Sequence, residues 1–192
     1  MHLRRCCVFT NHSYYRFLEF PTPAIYHATE FALSPLHKVQ ARMLDELQIS
    51  EMDALTEHAL VPLKCRRDIA MLGLLHRVAM KSAPNVFNDL VQHSVSVSFP
   101  RDLRAPGKRH NRQLRDPCER YVSRMFRRSV FGLIYTYNLL PQKVVDAPIH
   151  ISQRFLQQAL IKAASQSMPR WQYLFTRGIF NVSVDYFQKL FN

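Results

Sequence analysis

The chain has 192 residues, of which 47% are apolar and 11% aromatic, and this is enough to bury a core in one domain or two small helical lobes. A net charge of +12 indicates a polyanionic partner, with nucleic acid first and an anionic membrane surface second. The chain has four glycines and neither of the phosphate-loop motifs G-x-x-x-x-G-K-[ST] and G-x-G-x-x-G, which disfavours the nucleotide-binding folds built on them.

The cysteines give no sign of a metal site or of a disulfide framework. Cys6, Cys7, Cys65 and Cys118 form no C-x-x-C pair and no zinc-finger spacing. This favours free thiols in a reduced, intracellular setting, in the nucleus or the cytoplasm. No apolar run approaches the roughly 18 residues of a membrane span. We therefore expect no membrane span, no metal and no cofactor, and the sequence carries no signal for an oligomeric state.

The first third of the chain predicts short helices after a poorly specified lead segment over residues 1–18. Pro21 and Pro23 impose extended backbone before a short helix that can begin at Ala24. Ser34 as N-cap and Pro35 in the first turn predict a helix over 35–48. Its apolar stripe consists of Leu36, Val39, Met43, Leu44 and Leu47.

The next elements are a capped short helix and a long, largely apolar one. Ser50 is predicted to cap a helix through Thr56, and Pro62 to open a helix to about residue 81. The long helix is apolar around more than half of its circumference, so we expect it in the middle of the fold. Its remaining wet face is expected to carry Arg66, Arg67 and Arg77. A brief helix from Pro84 to Val91 and an extended segment over 93–99 should follow.

Residues 101–128 hold most of the positive charge. Ten basic and three acidic residues give this stretch a net charge of +7, and its prolines predict a loop over 99–117. Arginine suits phosphate because its planar fork donates two parallel hydrogen bonds. A solvated loop without a partner is the alternative. The candidate nucleic-acid-binding residues are Arg104, Lys108, Arg109, Arg112, Arg115, Arg127 and Arg128.

The last third predicts a helix, a tight corner and a second helix. Val130, Leu133, Ile134 and Tyr137 recur at helical spacing, which predicts a helix over 121–138 that ends at Asn138 before Pro141. Residues 151–164 repeat this spacing. The aromatic residues that follow are expected to pack on the bundle rather than to stack on bases; they are Tyr173, Phe175, Phe180, Tyr186, Phe187 and Phe191.

The predicted fold is mainly α, an irregular multi-helix bundle with a basic, proline-containing loop. Its regions are the lead segment 1–18, a helical region 19–98, a basic loop 99–120 and a C-terminal helical region 121–192. The side chains expected to be buried are Leu44, Leu72, Leu75, Leu133, Ile134 and Phe155.

Five segments resemble, in order, the C-terminal part of LINE-type (non-LTR) retrotransposon reverse transcriptases, after the palm. The similar stretches are 19–28, 36–50, 66–78, 109–114 and 126–160, the last with Phe126, Arg128-Ser129, Tyr137-Asn138, Leu140-Pro141, Val144 to Ala147, Phe155 and Leu160. The resemblance implies that 19–98 is thumb-like, that 121–192 is the tail, and that the chain helps to hold template RNA and primer DNA. It departs from the family in three ways. Tyr137 stands where the corner motif has Trp, the cysteine-histidine knuckle that many members carry in this tail is absent, and residues 1–18 match no part of the family's pattern.

Catalytic motifs are missing. A reverse transcriptase needs paired palm aspartates for two magnesium ions, and the chain contains no Asp-Asp, no G-x-S-x-G and no H-E-x-x-H. We assign no role to His27, His37, His58 and His76. We expect a non-catalytic fragment of, or a chain derived from, an RNA-directed DNA polymerase. The alternative is a stand-alone basic helical protein that binds an acidic protein or a membrane surface.

Overall fold

The computed structural model describes residues 22–91, 110–116, 129–176 and 184–192. These ranges are mainly helical and contain no sheet, which confirms the mainly α fold class. The lead segment 1–18 and the extended segment 93–99 lie outside the described residues, as do 99–109 of the basic loop and the first residues of the helix predicted over 121–138.

Helices α1 (Thr22–Ile25) and α2 (Glu30–Glu46) open the described chain. The predicted start of α2 at Ser34 and Pro35 is wrong, because Thr29 takes the extended N-cap conformation and its hydroxyl accepts a hydrogen bond from the Ala32 N–H at 3.2 Å. Pro35 instead lies inside the helix, where it cannot donate to the carbonyl one turn earlier. The buried face of α2 carries Leu33 and Leu44, and Val39, which lies off this face, is 42% exposed.

The next three helices follow the sequence prediction closely. Ser50 caps α3 (Glu51–His58) by accepting from the Asp53 N–H at 3.1 Å, and Ala59, at φ 51°, ends it. Helix α4 (Leu63–Ala79) follows Pro62, and α5 (Asn85–Leu90) follows Pro84. Because Pro62 has no side-chain acceptor, α2 supplies a cap in its place: Gln40 Oε1 accepts from the Leu63 N–H at 2.8 Å.

Helix α4 is the centre of the described fold. Twelve of its 17 residues are buried, as the sequence predicts for a central helix. The prediction that Arg67 lies on a wet face is wrong, since Arg67 is 5% exposed and its guanidinium lies 3.1 Å from His37 Nε2 on α2. Arg66 is half-buried, and Arg77 is exposed as predicted. A buried arginine requires a partner, and sequence spacing does not reveal that α2 provides one.

The C-terminal half packs two helices on α4. Helix α6 (Val130–Asn138) starts after Ser129, which has an extended backbone and whose hydroxyl accepts from the Phe131 N–H at 3.2 Å. The single helix predicted over 121–138 is therefore wrong at Ser129, and residues 121–128 lie outside the described residues. Then come α7 (Gln142–Asp146), α8 (Ile149–Ser165), a 3₁₀ turn Trp171–Tyr173 and α9 (Val184–Lys189). Helix α8 confirms the prediction over 151–164.

The core lies between α4, α6 and α8. Five of the six side chains expected inside are buried: Leu44, Leu72, Leu75, Leu133 and Ile134. Phe155 is only half-buried at the edge of the core, where the Lys143 ammonium lies 5.5 Å from its ring centre. Aromatic packing of the C-terminal region is confirmed by the burial of Phe175, Phe187 and Phe191, and Phe180 lies outside the described residues.

Candidate nucleic-acid interface

The end of the basic loop is fixed to the corner between α6 and α8. We call residues 110–116 the docked segment and residues 137–147 the corner. The docked segment belongs to no helix, so its backbone N–H and C=O groups depend on partners elsewhere. Side chains of the corner supply several of them.

Asn138 provides the most complete pairing. Its Oδ1 accepts from the Leu114 N–H at 2.9 Å, and its Nδ2 donates to the Leu114 carbonyl at 2.7 Å. One carboxamide thus pairs with both backbone polar groups of this residue. The sequence predicts that Asn138 ends the helix by taking a left-handed conformation. Asn138 is indeed the last residue of α6, but no left-handed turn follows, since Leu139 at the C-cap stays right-handed.

Gln142 makes a second attachment at the surface. It accepts from the Asn111 N–H at 3.1 Å and donates to Asn111 Oδ1 at 2.9 Å. The same Nε2 lies 2.7 Å from Asp146 Oδ1, which orients the carboxamide. The docked segment is therefore held on the corner at residues 111 and 114.

Two buried histidines flank Tyr137 beneath this attachment. His110 Nε2 donates to the Tyr137 carbonyl at 3.1 Å, and His110 Nδ1 accepts from the Arg112 N–H at 3.2 Å. On the other side, His76 Nε2 donates to the Ala147 carbonyl at 2.9 Å, and its Nδ1 accepts from the Tyr137 hydroxyl at 3.2 Å. Each of these carbonyls can only accept, so both imidazoles carry their proton on Nε2.

Burial keeps these groups uncharged. It lowers the pKa of His76 and of His110 below 6.5, although the hydrogen bonds to the Ala147 and Tyr137 carbonyls raise the pKa in part. Burial likewise raises the pKa of the Tyr137 hydroxyl. A second proton on His110 would face the Arg112 N–H, and two donors cannot pair. The two histidines therefore act as neutral spacers that join α4, the corner and the docked segment.

The sequence alone indicates no role for His76 and does not identify His110 as a functional residue. No spacing could have found the pair, because His76 and His110 lie 61 and 27 residues from Tyr137 along the chain. Only the folded chain brings the three rings together, with ring centres 6.2 Å and 5.5 Å from that of Tyr137.

Two of the seven candidate phosphate-binding residues lie on the docked segment. The Arg112 guanidinium donates to the Val145 carbonyl at 3.1 Å and is half-buried, so part of its donor set serves the attachment. Arg115 is exposed. The structure thus brings Arg112 and Arg115 beside the corner. The other five candidates lie outside the described residues: Arg104, Lys108, Arg109, Arg127 and Arg128.

Other chemistry is sparse in the described ranges. Over residues 22–91, 110–116, 129–176 and 184–192, no group of three His, Cys, Asp or Glu side chains can hold a metal ion. None of the helices in those ranges is long and apolar enough to cross a membrane. The Cys65 thiol is buried and donates to the Gln172 carbonyl at 3.2 Å, and burial raises its pKa, which disfavours the reactive thiolate.

The chain matches no protein-family model, no curated protein and no solved structure. Its function is therefore inferred from the geometry and charge of the chain.

Proposed function

We propose that this chain is a non-catalytic nucleic-acid-binding module, similar to the thumb and tail of a LINE-type reverse transcriptase, that grips RNA or an RNA–DNA hybrid through its basic loop. The observation that carries the proposal is the attachment of the docked segment to the corner. The described end of the basic loop, which carries Arg112 and Arg115, is held there by side-chain hydrogen bonds from Asn138 and Gln142.

Anchoring matters because binding a flexible loop loses conformational entropy. Immobilising a long side chain on binding costs about 0.5–1.5 kcal/mol, and ordering the backbone that carries it adds to this cost. Arg115 follows Leu114, which Asn138 fixes on both backbone groups, and Arg109 precedes the buried His110. Both arginines are therefore chain neighbours of residues that are already ordered, which favours phosphate binding.

The corner also gives a physical reason for the motif that carries the resemblance. Its Tyr137-Asn138 pair supplies the hydroxyl that His76 accepts and the carboxamide that pairs with Leu114. The amide of Asn138 is what the pairing with Leu114 needs, whereas the Tyr137 hydroxyl is particular to this chain, since the family's corner admits Trp or Tyr at that position. This supports reading the corner and the basic loop as one nucleic-acid-binding unit.

The proposed contacts are to phosphate and carry no sequence preference. The candidate contact residues lie in the basic loop and in the stretch that follows it: Arg104, Lys108, Arg109, Arg112, Arg115, Arg127 and Arg128. The chain lacks a pair of adjacent aspartates, so we propose no polymerase or nuclease step for it. The expected setting is the nucleus or the cytoplasm.

Salt dependence tests this proposal directly. If about four phosphates are neutralised, log K for a labelled RNA–DNA hybrid should fall with log salt at a slope of roughly −3 to −4. Replacing Arg104 and Arg109 by Ala should flatten the slope by about 2 units. The matched control is Lys38→Ala/Arg42→Ala, which removes two exposed cations of α2 and should leave the slope unchanged.

Two results would contradict the proposal. One is a slope that Arg104→Ala/Arg109→Ala leaves unchanged in a protein that remains helical. The other is displacement of bound RNA by acidic lipid vesicles at a lower charge concentration than by competitor RNA, which would favour the stand-alone protein that binds an acidic protein or a membrane surface.

A further inference from the structure

A groove that borders the corner at Ala147 combines an apolar wall with basic side chains. It lies where the C-terminal end of α4 meets the first turn of α8, and its volume is about 500 Å³. Its principal lining residues are Arg77, Met80, Pro148, Ile149, His150 and Gln153. The groove shares none of its lining residues with the docked segment or the corner.

The groove is open to solvent, and its volume lies within the range of small-molecule sites. Ligand sites typically enclose about 300–1,000 Å³ and combine an apolar surface with a few polar groups. Met80, Pro148 and Ile149 form the apolar wall, and Met80 is 39% exposed although it is a large apolar side chain. The polarizable thioether of Met80 makes favourable contacts with aromatic rings.

The polar side of the groove has the charge and the hydrogen-bond donors that an anion requires. Arg77 and His150 are exposed, and no acidic residue lines the groove. Among the residues that the structure describes, neither side chain has a hydrogen-bond partner. The imidazole of His150 offers an N–H in either protonation state. Helix α8 also begins here. Pro148 at its N-cap offers no side-chain hydrogen bond, which leaves backbone N–H groups of the first turn available to an anion.

We infer that this groove is a nucleotide-binding site, which takes a base against its apolar wall and a phosphate against Arg77 and His150. A nucleotide is the chemical class that presents a flat apolar ring and a phosphate within one small unit. This inference deepens the proposed function. It rests on that function only for the source of the nucleotide, which is either a free mononucleotide or one unit of a strand. Gln153 would face the edge of the base as a donor and an acceptor.

The test is a nuclear magnetic resonance titration of the full chain with adenosine 5′-monophosphate, with adenosine, and with a short oligoadenylate. We expect the Met80 methyl signal and the Ile149 and His150 amide signals to move with the monophosphate. Adenosine should bind about tenfold more weakly, because it lacks the group that Arg77 would hold. In the Arg104→Ala/Arg109→Ala variant, which removes loop contacts, stronger binding of the oligonucleotide than of the monophosphate at the groove signals assigns the site to a strand, and the reverse assigns it to a free nucleotide.

Variants separate this site from the basic loop. Arg77→Ala/His150→Ala should weaken the monophosphate about tenfold, and Arg42→Ala/His58→Ala, which removes an exposed arginine and an exposed histidine elsewhere, should not. Met80→Glu places an acid in the groove and should abolish binding while the protein stays helical. Arg104→Ala/Arg109→Ala should weaken binding of the oligonucleotide but not of the monophosphate. Monophosphate binding that persists in this variant therefore distinguishes an error about the basic loop from an error about the groove. Absence of shifts at the groove with every probe, or full binding by Arg77→Ala/His150→Ala, would overturn the inference.

Discussion

Helix α4 and the docked segment are both held against the rest of the fold, but by different forces. Helix α4 buries 12 of its 17 residues, and its contacts with α6 and α8 are mostly apolar. The docked segment buries only Leu114 and His110 and depends on polar pairs with the corner. Apolar burial stabilises the fold in proportion to the area removed from water. A hydrogen bond contributes little net stability, but a buried donor or acceptor that loses its partner is strongly destabilising. The two regions should therefore fail differently when single side chains are removed.

The largest effect is expected in the centre of α4. Leu72 is 1% exposed, and Leu72→Ala removes buried methyl groups and leaves a cavity among α6 and α8. The free energy of unfolding should fall by about 2–5 kcal/mol, measured by urea denaturation. Val39→Ala is the control, because Val39 is 42% exposed and should change stability by no more than about 0.5 kcal/mol. Equal effects at the two positions would mean that α4 is not the central helix.

Asn138 should give a smaller and more local effect. Asn138→Ala leaves both backbone groups of Leu114 without their partner, and the unfolding free energy should fall by about 1–3 kcal/mol. Amide hydrogen exchange at Leu114 should accelerate far more than at Leu72, because the segment can detach while the core stays folded. Asn138→Asp keeps the acceptor for the Leu114 N–H and should protect that amide in part. Uniform acceleration over the whole chain would show that the docked segment is not a separate unit.

Acid should weaken the same attachment through its histidines. Burial lowers the pKa of His76 and His110 in the folded state, so below about pH 6.5 the unfolded chain binds more protons. Stability is therefore complete above pH 6.5 and falls as the pH drops below it, by at most about 1.4 kcal/mol per pH unit for each histidine. Arg112 opposes protonation of both rings, and Asp146 favours that of His110.

A substitution isolates the contribution of His110. Gln offers a donor for the Tyr137 carbonyl and an acceptor for the Arg112 N–H but does not titrate, so His110→Gln should lower the acid sensitivity by about half. The matched control is His58→Gln, which makes the same substitution at an exposed position of α3. The measurement is the unfolding free energy at several pH values between 5 and 8. If the unfolding free energy of His110→Gln falls with pH as steeply as that of the unmodified protein, another group causes the pH dependence.

The same contrast explains what the sequence could predict. The helices α3, α4, α5 and α8 follow from apolar periodicity, from Ser50 as a cap and from the prolines, all of which act within a few residues. The start of α2 was misplaced because Thr29 and Ser34 are both acceptable caps, and only the packed helix selects between them. The buried Arg67 and the pairing of Asn138 with Leu114 depend on partners 30 and 24 residues away, which no local pattern indicates.

The smallest effect concerns the close approach of α8 to α4. A Cβ at Gly73 would clash with the end of the Gln153 side chain, which is flexible and able to turn away. Gly73→Ala alone should therefore lose part or all of the roughly 1 kcal/mol that Ala gains over Gly inside a helix. The double variant Gly73→Ala/Gln153→Ala removes the clash and should recover that gain relative to Gln153→Ala. A double-mutant cycle by urea denaturation measures the coupling, which we expect to be about 0.5–1 kcal/mol. Additive effects would mean that α8 does not need the glycine at this contact.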